Sequence, residues 1–149
     1  MIPLEKLRDL FDGPEKISHE YFEILTNDFL TRHHHPLAKA EKDKAKLNPS
    51  AVLVPICYSN DEVKILLTKR LDNLKDHAGQ ISFPGGKIEK NDTSPIETAL
   101  REANEEVGLR SDDVNVLGNL DVYITGTGFR IMPIAVSYTH LTLPTIYSV

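Results

Sequence analysis

The stretch FPGGKIEKNDTSPIETALREANEEVGL, residues 83–109, decides how the rest of the chain is read. Ser94, Pro95 and Glu97 make a helix start: a hydroxyl cap, a proline at the first helical position, and an acid placed to close a capping box. Gly108 supplies the stop, because glycine accepts the left-handed conformation in which helices end. Between them Ile96, Ala99, Leu100, Ala103 and Val107 recur at helical spacing and form one stripe for burial. Glu102, Glu105 and Glu106 stand at i, i+3 and i+4, the offsets that gather side chains on one face. Most acidic runs are solvated faces. Here, however, the acids crowd the C-terminal end of the helix, where the macrodipole disfavours them, so the pattern predicts a cation among them. Oxygen-only ligands select magnesium or manganese.

Composition bounds the rest. A chain of 149 residues suits one domain, and 26% charged with 40% hydrophobic residues is the balance of a soluble globular protein. No apolar run approaches the length that spans a bilayer, and Glu5, Lys6, Arg8 and Asp9 interrupt any apolar N-terminal region. The expectation is an intracellular protein without a secretory signal or a membrane partner; cytosol, peroxisome and mitochondrion are not separable. The single cysteine, Cys57, cannot form an internal disulfide, and its neighbours Val52, Leu53, Val54 and Ile56 mark a buried structural thiol. A net charge of -5 argues against nucleic acid as a partner. Its distribution is uneven: residues 64–90 carry a net +3 and residues 92–113 a net -5. That pairing suits a small polyanion held by cations on one side and metal on the other, although unrelated surface patches give the same count.

Along the chain, residues 1–11 and 17–30 read as short amphipathic helices, the second with Phe22, Leu25 and Phe29 on one side and Ser18 as its cap. Residues 31–48 read as a polar loop. It contains His33, His34 and His35, but consecutive residues do not converge on one ion, so no metal site is expected there. Residues 51–58 and 63–68 read as a β-hairpin around Ser59, Asn60 and Asp61, followed by a polar loop at 69–80 and a short strand at 81–83. Pro84, Gly85 and Gly86 allow an unusual backbone and a close approach that side chains would block; a lone glycine pair is usually just a turn, but its distance from the acidic helix supports more. Strands follow the helix at 114–117, 120–125 and 129–136. Residues alone thus support an α/β domain with a capped acidic helix.

Gly86, Asp92 and the run Arg101-Glu102-Ala103-Asn104-Glu105-Glu106-Val107-Gly108-Leu109 resemble the Nudix box of metal-dependent hydrolases that cleave nucleoside diphosphates linked to another moiety. Asp92 stands where that family usually has Glu, with one extra residue before Arg101, and both departures resemble its coenzyme A pyrophosphatase branch. Leu66-Leu67-Thr68-Lys69-Arg70, Leu74, His77, Gly79-Gln80-Ile81-Ser82 and Phe83-Pro84-Gly85-Gly86 resemble that branch's second motif, with Leu71 and Lys75 departing from it. The resemblance covers residues 52–136 and implies an α/β/α sandwich with a mixed β-sheet. It divides the chain into an N-terminal helical extension and polar linker (1–48), a partial hydrolase domain (49–136) and an atypical tail (137–149) that leaves the domain incomplete and its last strands with exposed edges.

The resemblance further implies hydrolysis of the pyrophosphate of coenzyme A or its thioesters with Mg2+ or Mn2+. Glu102 and Glu106 are the first metal ligands, Glu105 is a third ligand or the base that takes a proton from water, and the Gly86 carbonyl joins the metal. Arg101 orients the cluster, with Glu97 and Glu105 four residues away and Asp92 as an outer partner. Arg70, Lys75 and His77 meet the substrate. Hydrolysis of ADP-ribose, NADH or another nucleotide, and non-catalytic nucleotide binding, are the alternatives; acyl-chain preference and oligomeric state are not legible.

Overall fold

The computed structural model describes residues 4–59, 62–72, 75, 78–138 and 147–148. Its N-terminal part is helical: α1 (Leu4–Arg8), α2 (His19–Arg32) and α3 (Glu41–Lys44). Ser18 caps α2 by accepting the Tyr21 N–H at 3.0 Å. The stretch read as a loop instead holds a 3-10 turn, Pro36–Lys39, and α3. The adjacent histidines are part of the reason. His35 Nδ1 accepts the Leu37 N–H at 3.1 Å and starts that turn, while the His33 ring lies 4.3 Å from Phe29. Neighbouring residues thus face different partners.

Strands β1 (Asn48–Ser59) and β2 (Glu62–Ile65) form the expected hairpin, antiparallel with Ser59 opposite Glu62. Next come β3 (Thr68–Lys69), β4 (Ile81–Ser82), β5 (Gly85–Lys87) and helix α4 (Pro95–Val107). The chain continues through β6 (Val114–Asn119), β7 (Tyr123–Ile124), β8 (Phe129–Tyr138) and β9 (Tyr147–Ser148). β1 organises the main sheet: it runs parallel to β8 from Asn48 opposite Phe129 to Cys57 opposite Tyr138, and antiparallel to β2 and β5. β6 and β7 lie antiparallel on β8. The sheet is therefore mixed and the class α/β, as the resemblance implies. A second small sheet has the order β4-β3-β9.

Three expectations are corrected. The segment 63–68 is not one strand, because it leaves β1 after Ile65 and Thr68 pairs with Ser82 in the other sheet. The segment 120–125 is strand only at Tyr123–Ile124, whereas the close approach expected of the double glycine holds within β5, with Val52 opposite Gly85. β8 runs on to Tyr138 between β1 on one side and β6 and β7 on the other, so among the described residues the edge on this side of the sheet falls at β6 and not at β8.

Burial explains how α4 is held. Ala99, Ala103 and Val107 pack with Leu53 and Cys57 of β1 and with Met132, Ile134 and Val136 of β8, while Ile96 and Leu100 are only partly buried. The stripe is thus turned toward its alanines, and their small side chains let the helix lie close to the sheet. Ile17 and Phe22 enter the same cluster, so residues 1–48 share the core of the domain that follows. Each such side chain contributes about 1.5–3 kcal/mol by leaving water. Cys57 is fully buried, and that burial raises its thiol pKa above the ordinary value.

Candidate functional site

Helix α4 begins where the sequence places it. Ser94 Oγ accepts the Glu97 N–H at 3.3 Å, and Pro95 opens the first turn. Glu97 closes the box one residue further back than expected, accepting from the Thr93 N–H at 3.0 Å and from the Thr93 hydroxyl. At the other end Gly108 adopts φ 70°, and its N–H meets the Asn104 carbonyl at 2.9 Å. These two ends fix which residues face β5.

The glycines of β5 are required by what lies against them. A Cβ on Gly85 would stand 2.5 Å from the Ala51 carbonyl oxygen and 2.6 Å from Val52 Cα, and one on Gly86 would stand 2.5 Å from the Glu102 carboxyl carbon. Neither glycine has a positive φ among the described residues, so close approach alone demands them. Glu102 therefore rests its carboxylate on Gly86, and Glu106 accepts a backbone hydrogen bond from Gly85. Burial, then the charge of Glu102, pushes the Glu106 carboxyl up to about 7, against that hydrogen bond and the pull of Arg70. Two carboxylates and a stretch of main chain thus face one another, with Glu106 left the less compensated of the pair.

Arg101 holds this group from the side. Its Nε and Nη2 donate to Asp92 Oδ1 and Oδ2 at 3.1 and 2.9 Å, and Nη1 donates to Glu102 Oε1 at 3.0 Å. Nη1 also lies 3.5 Å from Glu105 and 3.6 Å from Glu89. Glu97, expected as a partner for Arg101, is instead taken up by the cap. Asp92 is the fixed point: its side chain is 4% exposed, and Oδ2 also accepts from the Glu89 N–H and the Thr98 hydroxyl, both at 2.8 Å. Hydrogen bonds from Arg101 are the main cause that lowers the Asp92 carboxyl to about 2. A bidentate, charge-assisted pair of this kind fixes the guanidinium plane.

The structure thus brings Glu102, Glu106, Gly86, Arg101 and Asp92 together, with Glu105 at the exposed rim, its side chain 59% accessible. Arg70 is half-buried in the 69–80 loop, and its charge reaches Glu106. Lys75 is exposed, and His77 lies outside the described residues. Gly85 was read from sequence only as part of a close approach, not as a donor to Glu106, and nothing in the sequence singled out Glu89 or Thr98. A cleft of about 590 Å³ lies along α4 between Ile96, Leu100, Asn104 and Arg110 and shares only Arg101 with the acidic group.

Among the described residues no three acidic, histidine or cysteine side chains gather closely enough to hold an ion unaided. The donors are nevertheless all hard oxygens, and magnesium is commonly held by one or two carboxylates, its remaining positions filled by water and substrate phosphate. Glu102 and Glu106 beside the Gly85 and Gly86 main chain fit that pattern. No helix among the described residues is long and apolar enough to cross a membrane.

A profile for the NUDIX domain matches residues 47–146. An uncharacterised Nudix hydrolase named NudL from Yersinia enterocolitica is 43% identical over 108 residues, which cover 72% of this chain and 55% of that protein. Its counterpart from Pectobacterium atrosepticum is 44% identical over 109 residues, covering 72% and 56%. The chain spans about half the length of the curated relatives it matches. The crystal structure of a C. elegans Ap4A hydrolase binary complex superposes with a TM-score of 0.53 at 15% identity, covering 65% of this chain and 70% of that one. That likeness is one of fold.

Proposed function

The chain belongs to the Nudix family, and on that premise we propose that it hydrolyses the pyrophosphate bond of coenzyme A or its thioesters, releasing phosphopantetheine or its acyl form and adenosine 3',5'-bisphosphate. The observation that carries the hydrolytic reading is the pair Glu102 and Glu106 facing the β5 main chain, with Glu106 held near neutrality by burial and by its neighbour. A divalent cation bound there supplies neutralisation of the diphosphate oxygens and activation of water. Glu102 and Glu106 hold it through carboxylate oxygens and the Gly86 carbonyl adds a third donor. Glu105, exposed at the rim and only loosely tied to Arg101 at 3.5 Å, accepts the proton of the attacking water. Arg101 keeps Glu102 oriented and does not contact substrate, because its donors are already directed at Asp92, Glu102 and Lys87 O.

Support for coenzyme A comes from the motif around residues 66–86 rather than from the acidic helix. The charge of Arg70 reaches Glu106, which supports the reading that Arg70 meets a phosphate next to the cleaved bond. Lys75 and His77 extend the same loop. Coenzyme A carries a 3'-phosphate that ADP-ribose and NADH lack, and extra negative charge calls for extra donors. The test is a competition assay with coenzyme A, dephospho-coenzyme A, ADP-ribose and NADH in Mg2+ or Mn2+. Coenzyme A is expected to be cleaved fastest. Equal rates on coenzyme A and its dephospho form, or a preference for ADP-ribose or NADH, would refute the substrate and leave a more general Nudix hydrolase.

A further inference from the structure

Among the described residues, two polar anchors on different turns tie helix α2 to β8 and to the 89–93 turn. In the first, Arg130 of β8, its side chain 13% exposed, pairs with Glu23 at 2.5 Å, donates to Thr26 Oγ1 at 3.2 Å and lies 4.3 Å over the Phe22 ring. In the second, His19 Nε2 stands 2.8 Å from the Asp92 carbonyl oxygen. A carbonyl only accepts, so Nε2 carries the proton. The first anchor is pure docking. The second ends on the residue whose carboxylate grips Arg101.

We propose that His19 is a positioning residue for the acidic site, acting through Asp92; this rests on the reading that Glu102 and Glu106 hold a divalent cation. Asp92 is bonded at both ends, its carbonyl by His19 and its carboxylate by Glu89, Thr98 and Arg101. With the peptide held, the carboxylate keeps one orientation, the guanidinium stays flat against it, and Nη1 stays 3.0 Å from Glu102 Oε1. Without His19 the 89–93 turn gains freedom, and Glu102 spends more of its time away from Gly86. The chain of contacts therefore runs from the capped start of α2 to a ligand of the metal. It gives the N-terminal segment a part in the site that its apolar packing does not.

Two measurements without substrate test this. One is hydrogen exchange at the Arg101 Nε–H in arginine-labelled protein by NMR, which reads the 3.1 Å bond to Asp92 directly. The other is Mn2+ affinity by electron paramagnetic resonance. His19→Ala is expected to speed the exchange several-fold and weaken Mn2+ by about threefold to tenfold, at or below the range for groups that orient metal ligands. His19→Gln, whose amide nitrogen reaches the position of Nε2, is expected to restore both. Glu23→Ala, which cuts the other anchor, is expected to lower the unfolding temperature and leave both readouts at the wild-type values. Unchanged exchange in His19→Ala, or an equal change in Glu23→Ala, overturns the proposal. Equal Mn2+ binding by wild type and Glu102→Gln overturns instead the metal reading, and Arg101 exchange still decides whether His19 is coupled to the Asp92 clamp.

Discussion

Replacing Asp92 with Asn keeps the shape of the side chain and removes its charge. Four donors converge on the native carboxylate: the Glu89 N–H, the Thr98 hydroxyl and Arg101 Nη2 on Oδ2, and Arg101 Nε on Oδ1. An amide offers one oxygen, so whichever way it turns, its NH2 faces a donor. The size of the loss follows from linkage. The Asp92 carboxyl falls from an ordinary 3.8 to about 2 in the folded chain, which at 1.36 kcal/mol per tenfold change is about 2 kcal/mol of stability at pH 7. Because the folded value is the lower one, this stability is present above the ordinary value and lost as pH falls through about 2; roughly half is gone by pH 3. For a chain of this length the cost at pH 7 corresponds to roughly 4 to 8 °C in unfolding temperature. Urea unfolding followed by circular dichroism at pH 7, 5 and 3 measures it. The difference between wild type and Asp92→Asn should be about 2 kcal/mol at the two higher values and clearly smaller at pH 3. A difference below about 0.5 kcal/mol at pH 7, or one that does not change with pH, would refute the view that Asp92 is a charged anchor.

The two glycines of β5 should separate stability from activity. Gly85→Ala drives a methyl into the main chain of β1 and is expected to cost about 1–3 kcal/mol or more, whereas Gly86→Ala meets only the movable end of Glu102 and should leave unfolding nearly unchanged while activity is lost. Thermal unfolding alongside turnover checks both. The raised Glu106 carboxyl makes the metal-free fold more stable below its ordinary pKa and progressively less so as pH rises through about 7. In the presence of a chelator, Glu106→Gln should flatten that dependence between pH 5 and 8, and saturating Mg2+ or Mn2+ should flatten it in the wild type. Turnover by Glu106→Gln or Glu102→Gln should be abolished with the fold intact, and full retention would refute their role. Arg70→Ala should narrow the preference for coenzyme A over its dephospho form more than it lowers basal hydrolysis, because a charge-assisted contact to phosphate is worth about 1.5 to 3 kcal/mol; relative kcat/KM values decide it.

The elements that sequence made legible are those whose causes are local. Ser94, Pro95 and Gly108 specify α4 to the residue, because caps and left-handed stops are satisfied within a few positions of themselves. Ser18 does the same for α2. The i, i+3, i+4 spacing by itself puts Glu102, Glu105 and Glu106 on one side of the helix. The same local rules failed where the partner was distant. Residues 63–68 have the composition of one strand, but composition does not say that Thr68 would find Ser82 in another sheet. The glycine pair announces a close approach, but not that it lies in a strand whose missing side chains make room for β1 on one side and Glu102 on the other.

The division of labour within the acidic cluster lies beyond sequence for the same reason. Spacing alone made the three glutamates equivalent, and made Glu97 as good a partner for Arg101 as Glu105. Packing separated them: α4 turned its alanines to the sheet, which brought Glu102 and Glu106 down on β5 and left Glu105 at the rim. Asp92, nine residues from Arg101, became the buried anchor because the 89–93 turn folds back on the first turn of the helix, where Thr98 and Arg101 both reach it. Caps, stripes and charge spacing are fixed by neighbours along the chain and can be read there. Which carboxylate is buried, which is held closely by an arginine and which stays exposed at the rim depends on surfaces meeting across the fold, and only the tertiary structure decided that.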